Sequence, residues 1–222
     1  MIALALALLA APINWDDTED LISGFDTTTM QAPVAYDREE FGSAWKDVDD
    51  NGCDTRNDIL ADQLEDIDYR ADGASSCPNA TVASGTLEDP YTGETIDFNR
   101  SEDASAIQID HIVPLSWAWA NGAWDWDEET RERFANDPNN LLAVDGPANM
   151  SKSDHGPSEW MPDNSDFACE YVVRFAGIVN DYSLTIPVAD QEAMTHTLNQ
   201  CDENGTTVDT RTPAQANGQD GN

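Results

Sequence analysis

Two segments dictate the architecture expected for this chain, Ile107-Gln-Ile-Asp-His-Ile-Val-Pro-Leu-Ser116 and Asn139-Asn-Leu-Leu-Ala-Val-Asp-Gly-Pro-Ala-Asn-Met-Ser-Lys-Ser-Asp154. The first is rich in residues that favour strands and carries an adjacent acid and imidazole. In the second, the apolar run 141–144 is broken by Asp145-Gly-Pro147, which is typical of a turn into a helix. A strand, a return strand and a short helix would gather four polar side chains into one small volume: Asp110, His111, Asn140 and Asn149.

These four side chains have a chemistry in common with hydrolytic metal sites. The carboxylate of Asp110 and the amide oxygen of Asn149 suit a hard, oxygen-seeking divalent cation. The imidazole of His111 suits general-base work near neutral pH. Together they are the groups required for metal-assisted hydrolysis of a phosphodiester.

The same segments resemble those of the HNH endonucleases, which carry the ββα-metal fold. The resemblance rests on the Asp110-His-Ile-Val-Pro-Leu115 run, the Asn140-Leu141 pair and the Asn149-Met-Ser-Lys-Ser-Asp154 ending. It extends to the small secreted HNH nucleases of bacteria and covers about residues 36–202. Four further segments carry it: Phe41-Gly-Ser-Ala-Trp45, Asn51-Gly-Cys-Asp-Thr-Arg-Asn-Asp-Ile-Leu60, Asp89-Pro-Tyr-Thr-Gly93 and Phe134-Ala-Asn-Asp-Pro-Asn-Asn-Leu-Leu-Ala-Val-Asp145.

The resemblance implies a role for each of the four polar residues. His111 would be the general base, and Asp110 and Asn149 would hold one divalent ion, Mg²⁺ or Mn²⁺. Asn140 matches the middle position of the HNH triple, where it would hold the hairpin and orient His111 through a carbonyl. A slip of one residue to Asn139 stays open. The products would carry 5′-phosphate and 3′-hydroxyl ends.

Lys152 and Arg56 are the predicted phosphate clamps. The chain has only two lysines, and one of them stands three residues after Asn149. Arg56 lies in a segment that resembles the family. The alternative for both is a surface ion pair, which would stabilise the protein by only ~0–1 kcal/mol. Arg38 and Arg100 are weaker candidates.

The expected fold class is α+β, with a ββα-metal core at 105–156 embedded in a mainly helical single domain at 36–202 that contains disulfides. Residues 1–12 resemble the apolar region of a signal peptide, although a buried N-terminal helix is the alternative. Residues 13–35 are predicted to be a flexible lead-in and residues 203–222 a disordered tail. The chain is therefore expected to be a secreted monomer, extracellular or periplasmic, with no membrane contact once the first segment is removed.

Hydrophobic patterning predicts the elements around the core. A capped helical turn over 37–45 should place Phe41 and Trp45 on one face. The tryptophans between the two motif halves are expected in the core, with a base-stacking platform as the alternative. Helices are predicted at 57–66, 127–135, 169–179 and 190–200, and strands at 81–87 and 94–98.

The even number of cysteines, four, in a chain expected to be secreted predicts disulfides, with three possible connectivities, and the absence of a Cys-x-x-Cys pair gives a four-thiolate zinc site little support. Proximity favours Cys53–Cys77 and Cys169–Cys201, each closing a loop of ~25–30 residues and contributing ~3 kcal/mol. Four buried free thiols are the alternative.

The net charge of −34, from 44 acidic and 10 basic residues, opposes contact with a polyanion. An acidic nucleic-acid mimic is one explanation. An enzyme adapted to salt is the other, because the Debye length falls to ~3 Å at ~1 M salt. The motifs favour a secreted metal-dependent endonuclease that cleaves DNA with little sequence specificity. The alternative is a non-catalytic acidic binding protein, either a DNA mimic or a calcium-stabilised interaction module.

Residues 47–58 match the first half of a calcium loop, Asp-x-Asp-x-Asn-Gly. A true EF-hand needs flanking helices, and a cysteine and an arginine inside the loop are unusual. A local turn in which Asx side chains bind the backbone is therefore favoured over a Ca²⁺ site.

Overall fold

The computed structural model describes residues 15–28, 32–48, 50–70 and 81–203. In these ranges the chain is α+β, as predicted. The helices are α1 (Trp15–Ser23), α2 (Thr55–Gln63), α3 (Leu115–Ala120), α4 (Glu128–Ala135), α5 (Gly146–Lys152), α6 (Ser165–Asp181) and α7 (Val188–Glu203). The strands are β1 (Glu65–Arg70), β2 (Thr81–Glu88), β3 (Thr95–Asn99), β4 (Ile107–His111) and β5 (Leu141–Asp145).

The strands form two separate antiparallel sheets. The first is the meander β1-β2-β3, and the second is the hairpin β4-β5, which pairs Ile107 with Asp145 and His111 with Leu141. Helix α5 follows β5 at once because the Asp145 side chain caps its start by accepting from the Ala148 N–H, and Pro147 lies in its first turn. The predicted order of strand, return strand and short helix is confirmed.

The β4-β5 hairpin separates two apolar clusters. Alternate side chains of a strand point to opposite faces. Leu142 and Val144 accordingly enter the larger cluster, which contains residues of α3, α6 and α7. Leu141 and Ala143 enter a smaller cluster with residues of α2, β2 and β3. The hairpin is therefore covered on both faces.

The predicted disulfide between Cys169 and Cys201 is confirmed. It joins α6 to α7 with a Cα–Cα distance of 6.0 Å. Cys53 is also disulfide-bonded, but Cys77, its predicted partner, lies outside the described residues.

Helix α1 falls inside the stretch that was expected to be a flexible lead-in, 13–35. Its Ile22 is fully buried, and α1 packs against α6 and α7. The expectation is wrong for this part because Ile22 and the partly buried Leu21 pack an otherwise polar helix against the larger cluster. The signal-like segment 1–12 and nearly all of the predicted tail lie outside the described residues. No helix in the described part of the chain is long and apolar enough to cross a membrane.

The prediction that Phe41 and Trp45 share one helical face is also wrong. A short 3₁₀ turn over Arg38–Phe41 ends at Gly42, so the helical spacing stops before Trp45. Phe41 is buried in the larger cluster, whereas Trp45 packs against the smaller one. Trp45 has a φ of 58°, a left-handed backbone that a bulky residue rarely adopts.

Candidate functional site

A cavity of about 460 Å³ lies at the end of β4, beside α5 and the 3₁₀ turn. The hairpin contributes Asp110 and His111, and α5 contributes Asn149. The rest of its lining is Tyr36, Arg38, Trp45, Ile109, Pro114, Leu115, Ser116, Ser153 and Asp154. Three of the four core residues predicted from sequence therefore line one cavity.

The imidazole of His111 is held by a backbone carbonyl. Its Nε2 lies 2.8 Å from the carbonyl oxygen of Ala135. Because a carbonyl accepts but never donates, Nε2 carries the proton and Nδ1 keeps a lone pair. Burial lowers the pKa of His111 to about 4, so the ring is neutral near pH 7. The Trp45 ring lies nearly parallel to it, with 6.3 Å between ring centroids.

Asn140 acts on the backbone beyond His111 rather than on its ring. It is fully buried. Its Oδ1 accepts from the Val113 N–H at 2.8 Å, its Nδ2 donates to the Val113 carbonyl at 3.3 Å, and its backbone oxygen accepts from Ile112. It thus holds the chain that leaves β4, while the carbonyl that orients the imidazole belongs to Ala135. Asn139, the alternative left open from the sequence, is exposed, and Asn140 is the residue that makes these contacts.

The carboxylate of Asp110 is fixed through one of its two oxygens. Oδ2 accepts from the Tyr91 hydroxyl at 2.6 Å and from the Lys152 ammonium at 2.8 Å. Oδ1 receives no hydrogen bond from the residues that the structure describes. Tyr91 was expected only as part of a turn at 89–93, although it lies in a segment that carries the family resemblance.

Asn149 offers its amide oxygen beside Asp110. Its Nδ2 donates to Gln108 Oε1 at 2.9 Å, which leaves Oδ1 as an acceptor. A carboxylate oxygen and an amide oxygen together fit a hard divalent cation. Within the described ranges, no group of three or more His, Cys, Asp or Glu residues could hold a metal ion. Water and substrate oxygens would have to complete the coordination, which is the usual situation for Mg²⁺.

Lys152 does not lie where a phosphate clamp was predicted, because it is buried rather than exposed to the cavity. The side chain is fully buried, and its ammonium also donates to the carbonyl oxygen of His111 at 2.8 Å. Burial lowers the pKa of Lys152, against the opposing effect of Asp110. An ammonium on the inner side of Asp110 does not reach a phosphate in the cavity.

Arg56 is not brought to the cavity either. Its guanidinium lies 3.4 Å from the carbonyl oxygens of Ala104 and Ile107, at the start of β4, whereas the cavity is at the end of that strand. Arg38, ranked lower from the sequence, lines the cavity instead. The sequence signal that could have raised its rank is its position three residues before Phe41, where a segment that resembles the family begins.

The acidic loop that resembles a calcium site is closed by its own hydrogen bonds. The two carboxylate oxygens of Asp47 accept from the backbone N–H groups of Asn51 and Gly52, and the Asn51 side chain accepts from the Cys53 N–H. The Asn51 contact is an Asx turn, in which the side chain accepts from the backbone two residues on, whereas the Asp47 contacts reach four and five residues along the loop.

Comparison with known proteins identifies relatives for most of the chain. Residues 54–197 match the family described as "GmrSD restriction endonucleases, C-terminal domain". A protein of Arthroderma benhamiae named "Uncharacterized secreted protein" is 33% identical over 185 residues, which cover 82% of this chain and 84% of that protein. No solved structure matches at a significant level.

Proposed function

Because the chain belongs to the family of GmrSD restriction endonuclease C-terminal domains, a nuclease family, we propose that it is a metal-dependent endonuclease that cleaves DNA with little sequence specificity. The observation that carries the proposal is the cavity at the end of β4. It is lined by the neutral imidazole of His111, whose Nδ1 keeps a lone pair, and by Asp110 and Asn149, each of which has one side-chain oxygen without a described hydrogen bond.

The hairpin β4-β5 and α5 are proposed to be a ββα-metal core. The sequence order and the pairing agree with this, and both candidate ligands lie where the hairpin meets the helix. Asp110 and Asn149 would hold one Mg²⁺ or Mn²⁺ ion, which supplies charge stabilisation to the phosphate and the leaving oxygen when bound.

His111 performs the proton transfer in this proposal. With Nε2–H donated to Ala135, Nδ1 accepts a proton from a water molecule in the cavity. The water oxygen forms a bond to phosphorus while the bond to the 3′ oxygen breaks, and the departing oxygen takes a proton from solvent water, which yields 5′-phosphate and 3′-hydroxyl ends. Trp45 lines the cavity beside the imidazole, with the two rings nearly parallel.

The proposal also covers the salt range in which the protein works and the compartment in which it is found. A net charge of −34 repels DNA unless salt screens it, so we propose activity adapted to high salt. The Cys169–Cys201 disulfide and the name of the Arthroderma benhamiae relative, a secreted protein, support secretion, since disulfides persist in oxidising compartments. A non-catalytic DNA mimic is the competing function, favoured only by the charge.

Plasmid cleavage should require a divalent ion and should persist at high salt. We expect nicking with Mg²⁺ or Mn²⁺, none in EDTA, and a rate at ~1–2 M salt at least equal to the rate at ~0.1 M, because screening removes the repulsion. The measurement is a gel assay with the folded, oxidised protein.

The nuclease activity and the salt adaptation can be refuted independently in this assay. Cleavage that is strongest at ~0.1 M salt would refute the salt adaptation and leave the nuclease intact. No cleavage under any metal or salt condition would place the protein in the non-catalytic class. If it is a DNA mimic, its binding to a basic partner protein should then weaken as the salt concentration rises.

Arg38 is expected to contact the substrate, whereas Arg56 is not. Arg38→Ala should raise KM for DNA by about tenfold, the equivalent of one charge-assisted hydrogen bond of about 1.5 kcal/mol. Arg56→Ala is the matched control and should leave KM within about twofold, because its guanidinium lies at the other end of β4. Steady-state kinetics of both variants test this, and the reverse ranking would contradict the cavity as the binding site.

A further inference from the structure

The buried lysine behind the cavity is the feature that the proposed mechanism leaves unused. Lys152 is 0% exposed, and the Asp110 carboxylate that it contacts is 7% exposed. Its ammonium has two oxygen partners at 2.8 Å, Asp110 Oδ2 and the His111 carbonyl. The Tyr91 hydroxyl donates to the same Asp110 oxygen.

The buried ammonium of Lys152 affects the stability of the fold because it neutralises the charge of Asp110. Two charges withdrawn from water are tolerated when their geometry is good and other hydrogen bonds complete the pair, whereas either charge left alone is strongly destabilising. Here the pair is complete within the protein. Asp110 therefore has a counter-ion whether or not a divalent ion is bound in front of it.

We infer that Lys152 and Tyr91 are positioning residues for Asp110 and that Lys152 is its permanent counter-ion. Together they hold Oδ2 on the inner side and leave Oδ1 towards the cavity. Folding is thereby uncoupled from the divalent ion. The assignment of Asp110 as a metal ligand rests on the proposed function, whereas the pairing of Asp110 with Lys152 does not.

The pair also sets the affinity for the metal. The charged side chains around the cavity balance, because Lys152 offsets Asp110 and Arg38 offsets Asp154, so a divalent ion meets little net attraction from them in the free protein. The negative oxygens of a bound phosphodiester must supply the remaining attraction. The free protein should therefore bind the metal weakly, and the protein with bound substrate should bind it more tightly.

Thermal melts in EDTA and in ~1 mM Mn²⁺ test the counter-ion. The wild type should gain about 1 °C or less from Mn²⁺. Lys152→Met should lower Tm in EDTA by about 10 °C, because it strands a buried carboxylate, and Mn²⁺ should recover several degrees as it takes over that role. Lys46→Met removes the other lysine, whose exposed ammonium contacts Glu132, and should behave as the wild type. An equal loss with and without Mn²⁺ would overturn the inference.

A double variant keeps the test decisive if Lys152→Met does not fold. In EDTA, Asp110→Asn/Lys152→Met should melt several degrees above Lys152→Met, because neither buried charge is left unpaired. A double variant that is no more stable than the single one would overturn the counter-ion role. This comparison needs no metal and no catalysis, so it stands apart from the proposed function, which fails if the wild type neither binds Mn²⁺ nor cleaves DNA.

Tyr91→Phe tests positioning alone because it keeps the cation. It should leave the small response of Tm to Mn²⁺ unchanged and raise the Mn²⁺ concentration for half-maximal cleavage about threefold or more. An unchanged Mn²⁺ requirement would remove Tyr91 from the inference.

Discussion

Replacing His111 by alanine is expected to lower kcat for DNA cleavage by about 10²- to 10⁴-fold, the usual contribution of a positioned general base. The imidazole is the neutral nitrogen base lining the cavity, and its one described hydrogen bond, to the Ala135 carbonyl, directs Nδ1 away from that contact. KM should change little because the ring serves the chemical step rather than binding.

Two measurements separate this loss from a loss of structure. The Tm of His111→Ala should stay within a few degrees of the wild type, since Asn140 holds the end of β4 without the ring. His196→Ala is the control, because His196 is exposed on α7 and its side chain has one described hydrogen bond, with Gln200. A His111→Ala protein that cleaves DNA at the wild-type rate would refute the assigned base.

Replacing Asn140 by alanine is expected to damage both stability and cleavage. The change leaves the N–H and the carbonyl of Val113 buried and unpaired, at about 1–3 kcal/mol each. For a chain of this size that lowers Tm by about 5–15 °C. Cleavage should fall with it at temperatures where the protein is still folded, because the chain leaving His111 loses its fixed course.

Asn139→Ala is the neighbouring control for this prediction. The Asn139 side chain is exposed, and only its backbone N–H takes part in a described bond, to Asp137. Its Tm should stay within about 1 °C of the wild type. Equal effects of the two substitutions, measured by thermal melts and gel cleavage, would show that the backbone clamp around Val113 is unimportant.

The sequence predicted the elements whose local signals agree with their packing. The run 141–144 is wholly apolar and fully covered, and Asp145 and Pro147 mark the next helix start. Strand β1 was missed because Glu65-Asp-Ile-Asp-Tyr-Arg70 lies at the edge of its sheet, mostly exposed, so no alternation of apolar and polar residues is required.

The site was predicted less completely than the hairpin that carries it. Asp110, His111 and Asn149 come together because each lies on the hairpin or α5, where local patterning fixes register. The Ala135 carbonyl has no sequence signal, because every residue has one. The buried position of Lys152 was not predicted, because a lysine is ordinarily placed on the surface and its partner Asp110 is 42 positions away in sequence.

The position of the β4-β5 hairpin between the two apolar clusters has a kinetic consequence. A strand that packs against two apolar clusters cannot detach while either cluster remains packed. We therefore expect its amide hydrogens to exchange with solvent only when the whole domain opens. The β4-β5 hairpin then belongs to the most persistent cooperative unit of the fold. Its working lifetime is set by the rate of global unfolding rather than by fraying near the cavity.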